Sequence, residues 1–141
     1  MTIRIEIIGY EDGNSMELTK SELEIMNVIW KENRPLTRGE ILKCSGDKTW
    51  KDSSIHILLN GLMKKDAIVE AGFAKSGKTY GRVYAANISG EEYYCSKVFA
   101  FCGQDGLPNI FSALIHCDGV TVELIDQIEG MLAERKKELV K

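Results

Sequence analysis

The chain has 141 residues, 44% hydrophobic and 28% charged, with a formal net charge of −3. These are the values of a soluble globular protein: one ordinary domain, or a small domain plus an oligomerisation segment. No run of 18 apolar residues occurs, and the opening MTIRIEIIGYEDG lacks both a long apolar stretch and an A-x-A site. Neither a transmembrane helix nor a secretory signal is therefore expected, and a cytoplasmic location follows.

Residues 3–8, IRIEII, alternate as a short strand, and EDGNS at 11–15 reads as a loop. Thr19-Lys20-Ser21-Glu22 fits a capping box, so a helix opens there. Leu23, Met26 and Trp30 mark one face and Ile25, Val28 and Ile29 another, so much of its circumference is expected to be buried. Pro35 disfavours helical geometry at Arg34 and stops it. Thr37-Arg38-Gly39-Glu40 repeats the capping pattern and opens a short helix ending near Cys44-Ser45-Gly46.

A third helix is expected over about residues 50–65. Ile55, Leu58, Leu59 and Leu62 recur at i, i+3, i+4 and i+7 on one stripe, while Ser53, Ile57, Asn60 and Lys64 fall opposite, with His56 beside them. One face wants a core. The other offers hydroxyls, an amide, an imidazole and a lysine, the chemistry that reads base edges in a major groove. Residues 68–75 and 79–87 then read as two strands joined by a tight turn at Ser76-Gly77-Lys78. Helix, helix, helix, hairpin is the order of a winged helix-turn-helix.

The remainder is expected to be helical. One helix runs from Ser89 to about Cys102, Gly103 to Gly106 break it, and Pro108 sits in the first turn of the next. Asp118-Gly119 is a turn, and Thr121 opens the last helix. Leu107, Ile110, Phe111 and Leu114 on one helix, and Leu124, Ile128, Met131 and Leu132 on the other, form apolar stripes too extensive for so little chain to bury on itself. Pairing with a second copy is the economical solution, which makes these eight the candidate dimerisation residues. The expected architecture is mainly α with a small β-hairpin wing. Its parts are an N-terminal extension (1–15), a winged-helix DNA-binding domain (16–88) and a helical dimerisation domain (89–141).

Charge follows the same division. Residues 34–82 carry ten Lys/Arg against five acids, so +5, and residues 89–141 carry five against nine, so −4. A basic middle and an acidic tail suit a nucleic-acid-binding unit joined to a protein–protein unit.

At this point the chain resembles the penicillinase-repressor (BlaI/MecI/CopY) family of bacterial winged-helix repressors. The resemblance rests on LTKSELEIMNVIW (18–30), LTRGEIL (36–42), TWKDSSIHILLNGLMKKDAI (49–68) and YGRVYAA (80–86), and covers about residues 16–139. It implies dimers that bind palindromic operators and repress genes of antibiotic resistance, stress response or metal homeostasis. In many members a membrane sensor protease triggers cleavage of the repressor. Departures are also visible. Gly61 stands where the family often carries Arg. The cysteine-rich copper motif is absent, Asn109-Ile110-Phe111 replaces the Asn-Phe cleavage dipeptide, and the extension before Met16 is unusual.

The candidate site divides by chemistry. Ser53, Ser54, His56 and Asn60 are candidates for base or phosphate contact, or else form a plain solvated helix face. Lys48, Lys51, Lys64, Lys75, Lys78 and Arg82 would neutralise phosphates, or else are ordinary solubilising charge. Thr49 precedes the helix and joins this set. Trp50 either stacks on a sugar or packs beneath the helix, the commoner role for Trp. Cys44, Cys95, Cys102 and Cys117 form no C-x-x-C pair and are expected to be reduced and buried. No metal site, cofactor or catalytic constellation is legible, so an enzyme is not expected. The competing readings are a protein-interaction winged helix without sequence-specific DNA binding, and a sensor using the thiols or a ligand pocket between the C-terminal helices.

Overall fold

The computed structural model describes residues 16–76 and 78–140. The strand expected at 3–8, the loop at 11–15 and Gly77 of the hairpin turn lie outside the described residues. The chain divides into two units, one reaching Ala100 and one from Phe101 to Lys141.

In the first unit local sequence rules fix the helix ends. Glu22 N–H donates to the Thr19 hydroxyl (3.2 Å) and Thr19 N–H donates to the Glu22 carboxylate (2.9 Å), so α1 (Lys20–Glu32) begins in a reciprocal capping box. It ends at Asn33, which takes a left-handed conformation before Pro35. Thr37 and Glu40 build the same box at the start of α2 (Arg38–Cys44). The third helix is shorter than expected: a turn of 3-10 helix at Asp52–Ser54 precedes α3 (Ile55–Lys64).

The sheet holds one strand more than the sequence suggested. β1 (Leu36–Thr37) pairs antiparallel with β3 (Thr79–Ala86), which pairs antiparallel with β2 (Ile68–Ser76), in the order β1-β3-β2. Two residues are too few to show alternation, and Thr37 also serves as the cap of α2, which masked its strand role. In β2 a bulge between Glu70 and Phe73 shifts the register, with Gly72 at φ 118° inside it.

The core forms where these elements meet. Ile25, Met26 and Ile29 of α1, Leu36, Ile41 of α2, Trp50, the Ile55/Leu59/Leu62 stripe of α3, Ala67 and Ile68 make one buried cluster. Burying such side chains is worth about 1.5–3 kcal/mol each for the larger ones. This cluster holds α3 rigidly by its apolar side.

The long helix α4 (Gly90–Ile115) begins in this unit. The Trp30 indole N–H donates to the Ile88 carbonyl (2.8 Å), and the Trp30 ring meets Tyr93 and Tyr94 at centroid distances of 5.9 and 6.1 Å. Lys97 pairs with Glu17 at 2.7 Å. Residues 90–100 are thus tied to α1, so the structural division falls at 100/101 and the compositional one at 88/89.

In α4 the expected break at Gly103 to Gly106 narrows to Gly103 alone (φ 63°, ψ −175°), with helix resuming through Pro108. By length and composition alone α4 is long and apolar enough to cross a membrane. Gly103 nevertheless departs from helical φ/ψ near mid-length, a break in helix geometry that a bilayer core disfavours.

The second unit contains the rest of α4 and α5 (Val122–Val140), which opens with Leu124 N–H donating to the Thr121 hydroxyl (3.2 Å). No hydrophobic residue among its described residues is buried.

Candidate nucleic-acid interface

α3 presents two unlike faces. Ile55, Leu59 and Leu62 are buried, whereas Ser53 just before the helix and His56, Ile57, Asn60 and Lys64 on it are exposed, and Ser54 is half-buried. Ile57 is 75% exposed, an apolar group among polar ones on this face. Gly61, which stands where the family often carries Arg, is not on this face. A Cβ at Gly61 would lie 2.8 Å from Glu22 Oε2, so the glycine turns toward α1 and leaves room for that carboxylate.

Glu22 is almost fully buried and pairs with Lys65 at 2.5 Å. Burial alone would push its carboxyl upward. The hydrogen bond from Lys65, the Thr19 backbone N–H and the Lys65 charge together outweigh burial and hold it below the ordinary glutamate value. Lys65, one turn after Gly61, supplies the cation on this side of α3.

The approach to α3 is clamped. Glu24 of α1 accepts from the Thr49 backbone N–H (3.2 Å) and from its hydroxyl (3.0 Å), so Thr49 positions the loop. Trp50 is 7% exposed and belongs to the core, which decides between its two expected roles: it packs and does not offer its ring to a sugar. Lys48 lies over that ring at 5.2 Å and pairs with Asp52. A lysine so occupied is a weaker phosphate donor than a free one.

The rest of the basic set is mostly at liberty. Lys51, Lys64, Lys75 and Lys78 are exposed and make no ion pair among the described residues. Arg82 is exposed and pairs with Glu70 across the hairpin at 3.0 Å.

Sequence reasoning left Arg38 out of the site. Its guanidinium meets His56 Nε2, which brings the first residue of α2 to the exposed edge of α3. Its position at the start of the helix before α3 was the available signal. The opposite end of this connection is braced by Arg34 and Glu40 at 2.7 Å. The Thr37 backbone N–H, then Arg34, hold the Glu40 carboxyl below its ordinary value.

The cysteines depart from expectation. Cys44 and Cys117 are exposed and Cys95 and Cys102 half-buried, all as free thiols. Cys102 and Cys117 sit in a unit without buried hydrophobics, and Cys44 ends a short surface helix, so no core surrounds them. No group of three or more His, Cys, Asp or Glu able to hold a metal occurs among the described residues.

Of the candidate dimerisation residues, Phe111, Leu114, Leu124, Met131 and Leu132 are exposed, and Leu107, Ile110 and Ile128 half-buried.

A buried-and-clamped helix offering a polar face, with a basic hairpin after it, has relatives. The sequence pattern of the penicillinase repressor family matches residues 18–134. The penicillinase repressor of Bacillus licheniformis is 30% identical over 123 residues, spanning 85% of this chain and 92% of that protein. Among solved structures, the monomeric form of Bacillus licheniformis BlaI in complex with the blaP half-operator is 32% identical, covering 57% of this chain and 92% of that one, with a TM-score of 0.41. Staphylococcus aureus MepR bound to ethidium bromide is 13% identical, covering 89% of this chain and 81% of that one, with a TM-score of 0.44.

Proposed function

This chain belongs to the penicillinase repressor family, and we propose that it is a homodimeric transcriptional repressor that binds a palindromic operator. The family is one of repressors, not of enzymes. The observation that carries the reading is the two-faced α3, locked by Ile55, Leu59 and Leu62, with His56 and Asn60 on it and Ser53 just before it exposed. A recognition helix needs both properties: a fixed axis, so that side chains meet base edges in register, and short polar groups facing outward.

Within this reading, Ser53 and His56 read bases, and Asn60, late in the helix, does so less. Ser54, half-buried at the head of α3, reaches a phosphate. Lys51, Lys64, Lys75 and Lys78 hold phosphates, with Arg82 and Lys48 contributing once they exchange their carboxylate partners. Thr49 positions the loop and Arg38 joins the contact through His56. Residues 16–88 form the DNA-binding domain. Residues 89–141 pair two copies through the stripes that include Leu107, Ile110, Phe111, Leu114, Leu124, Ile128, Met131 and Leu132. The protein acts in the cytoplasm, on genes of antibiotic resistance or stress response. A membrane sensor protease is a further partner in this reading. The segment 109–113 is helical, so cleavage there requires local unwinding.

The test is a gel shift and footprint on duplex DNA from upstream of the protein's own gene. Protection of two half-sites about one helical turn apart, or a multiple of it, is expected, with affinity falling steeply as salt rises. Absent or salt-insensitive binding to that DNA and to neighbouring promoters overturns the reading.

A further inference from the structure

A cleft of about 960 Å³ lies in the first unit, and no residue of α3 lines it. It forms where the end of α1, the turn after it, the end of β3 and the first turn of α4 converge. That volume is within the ordinary range of small-molecule sites. Trp30, Pro35, Ile88 and Tyr94 contribute apolar surface to it, and Arg34 and Glu91 are its charged lining residues.

Two rings make its aromatic corner. Trp30 and Tyr94 lie 6.1 Å apart, centroid to centroid, with their planes inclined at 59°. The bond from the Trp30 indole N–H to the Ile88 carbonyl (2.8 Å) fixes one ring. Gly90 lets α4 start against that ring, since a Cβ there would sit 3.3 Å from it. Tyr94 stays 47% exposed although it also meets Tyr93. The corner thus offers aromatic surface that the unit's own side chains leave uncovered, in two orientations at once.

Charge selects the occupant. Arg34 is committed, donating to the Glu40 carboxylate at 2.7 Å and to the Pro35 carbonyl at 3.4 Å. Glu91 is exposed and makes no ion pair among the described residues. A helix dipole favours acids in any first turn, and Glu92 shares that advantage, but only Glu91 lines the cleft. The unbalanced charge here is therefore negative. Ring faces add their own negative potential, so a cation gains from both and an anion from neither. We propose that this cleft binds an aromatic organic cation, with its rings on Trp30 and Tyr94 and its charge beside Glu91. The site lies within the first unit, apart from the C-terminal helices, and stands independently of the DNA-binding reading.

The test is calorimetric titration of the full chain with two probes, tetraphenylphosphonium and tetraphenylborate. The two ions share a shape and differ in the sign of their charge. Saturable binding of one phosphonium per protomer is expected, with the borate at least about tenfold weaker. E91Q should weaken phosphonium binding about three- to tenfold, and E92Q should leave it near parental although both remove one acid. Y94L keeps apolar bulk but removes the ring, and a loss of about fivefold is expected, whereas Y94F should bind like the parent. Glu91 is exposed, so the melting temperature of E91Q should match the parent and keep the test valid should Y94L unfold.

Absence of saturable phosphonium binding, or equal affinity for the two ions, overturns the proposal. Equal losses in E91Q and E92Q, or an unchanged affinity in folded Y94L, also overturn it, because the cation would then sit elsewhere, as on the exposed stripes of α4 and α5. No DNA enters the experiment, so each of these failures leaves the repressor reading intact.

Discussion

The two units of this chain use apolar residues in opposite ways. The first gathers eleven buried residues into one cluster drawn from three helices and the sheet. The second has Leu, Ile, Met and Phe at helical spacing along α4 and α5 but buries none of them among its described residues. An apolar stripe is a statement about a partner. In the first unit the partner is the rest of the unit. In the second, Phe111, Leu114, Leu124, Met131 and Leu132 remain exposed, and a second copy of the same stripes is the simplest self-complementary cover. The first unit should fold by its own burial, and, under the proposed dimer, the second by association.

The sharpest way to break that comparison is a core truncation. Leu62→Ala removes a fully buried side chain from α3, and a loss of about 3 kcal/mol is expected in urea unfolding, independent of protein concentration. A concentration-dependent midpoint for this loss would mean that the winged-helix unit leans on association as well.

Next in size is the reverse experiment. Leu124→Asp with Leu132→Asp places charge on the exposed stripe of α5. Sedimentation as a monomer is expected, with the first unit still folded. Affinity for a two-half-site duplex should fall about a hundredfold, because the half-sites are no longer engaged together. Persistence of the dimer would move the interface elsewhere.

Acid sharpens the contrast from within the first unit. The folded Glu22 carboxyl lies below its ordinary value, so its contribution is fully present above the unfolded value and lost as pH falls through the folded one. Stability of the winged-helix unit should therefore decline as pH falls through and below the normal glutamate range, with the Glu22–Lys65 pair contributing to that decline. Glu22→Gln should flatten that part of the profile, and an unchanged profile would remove the Glu22–Lys65 pair from the account.

The smallest effect compares two caps. Thr37→Ala removes the hydroxyl that accepts from Glu40 N–H and is expected to cost about 1 kcal/mol of winged-helix stability. Thr121→Ala removes an exposed cap of α5, and its smaller cost should register in dimer dissociation and leave the first unit's unfolding unchanged. Equal effects on both transitions would show the units to be coupled.

The sequence by itself determined what depends on near neighbours. Both capping boxes, the stop at Asn33 and Pro35, the two-faced helix ending at Lys64, the hairpin and the Thr121 start were all legible, because each needs only residues within a turn or two of one another. The exposed face of α3 was legible for the same reason, since exposure on a helix follows from its periodicity.

Only the tertiary structure decided what depends on distant chain segments meeting. Glu24 clamps Thr49 from 25 residues away, and Arg38 reaches His56 across 18. β1 exists only because β3 is there to pair with it, and the assembled core cluster decided which of its two expected roles Trp50 takes. Gly61 faces α1, where Glu22 occupies the space that a side chain would take. Periodicity assigns a residue to a side of its own helix. Which neighbour stands on that side is settled by packing, and packing is a property of the assembled chain.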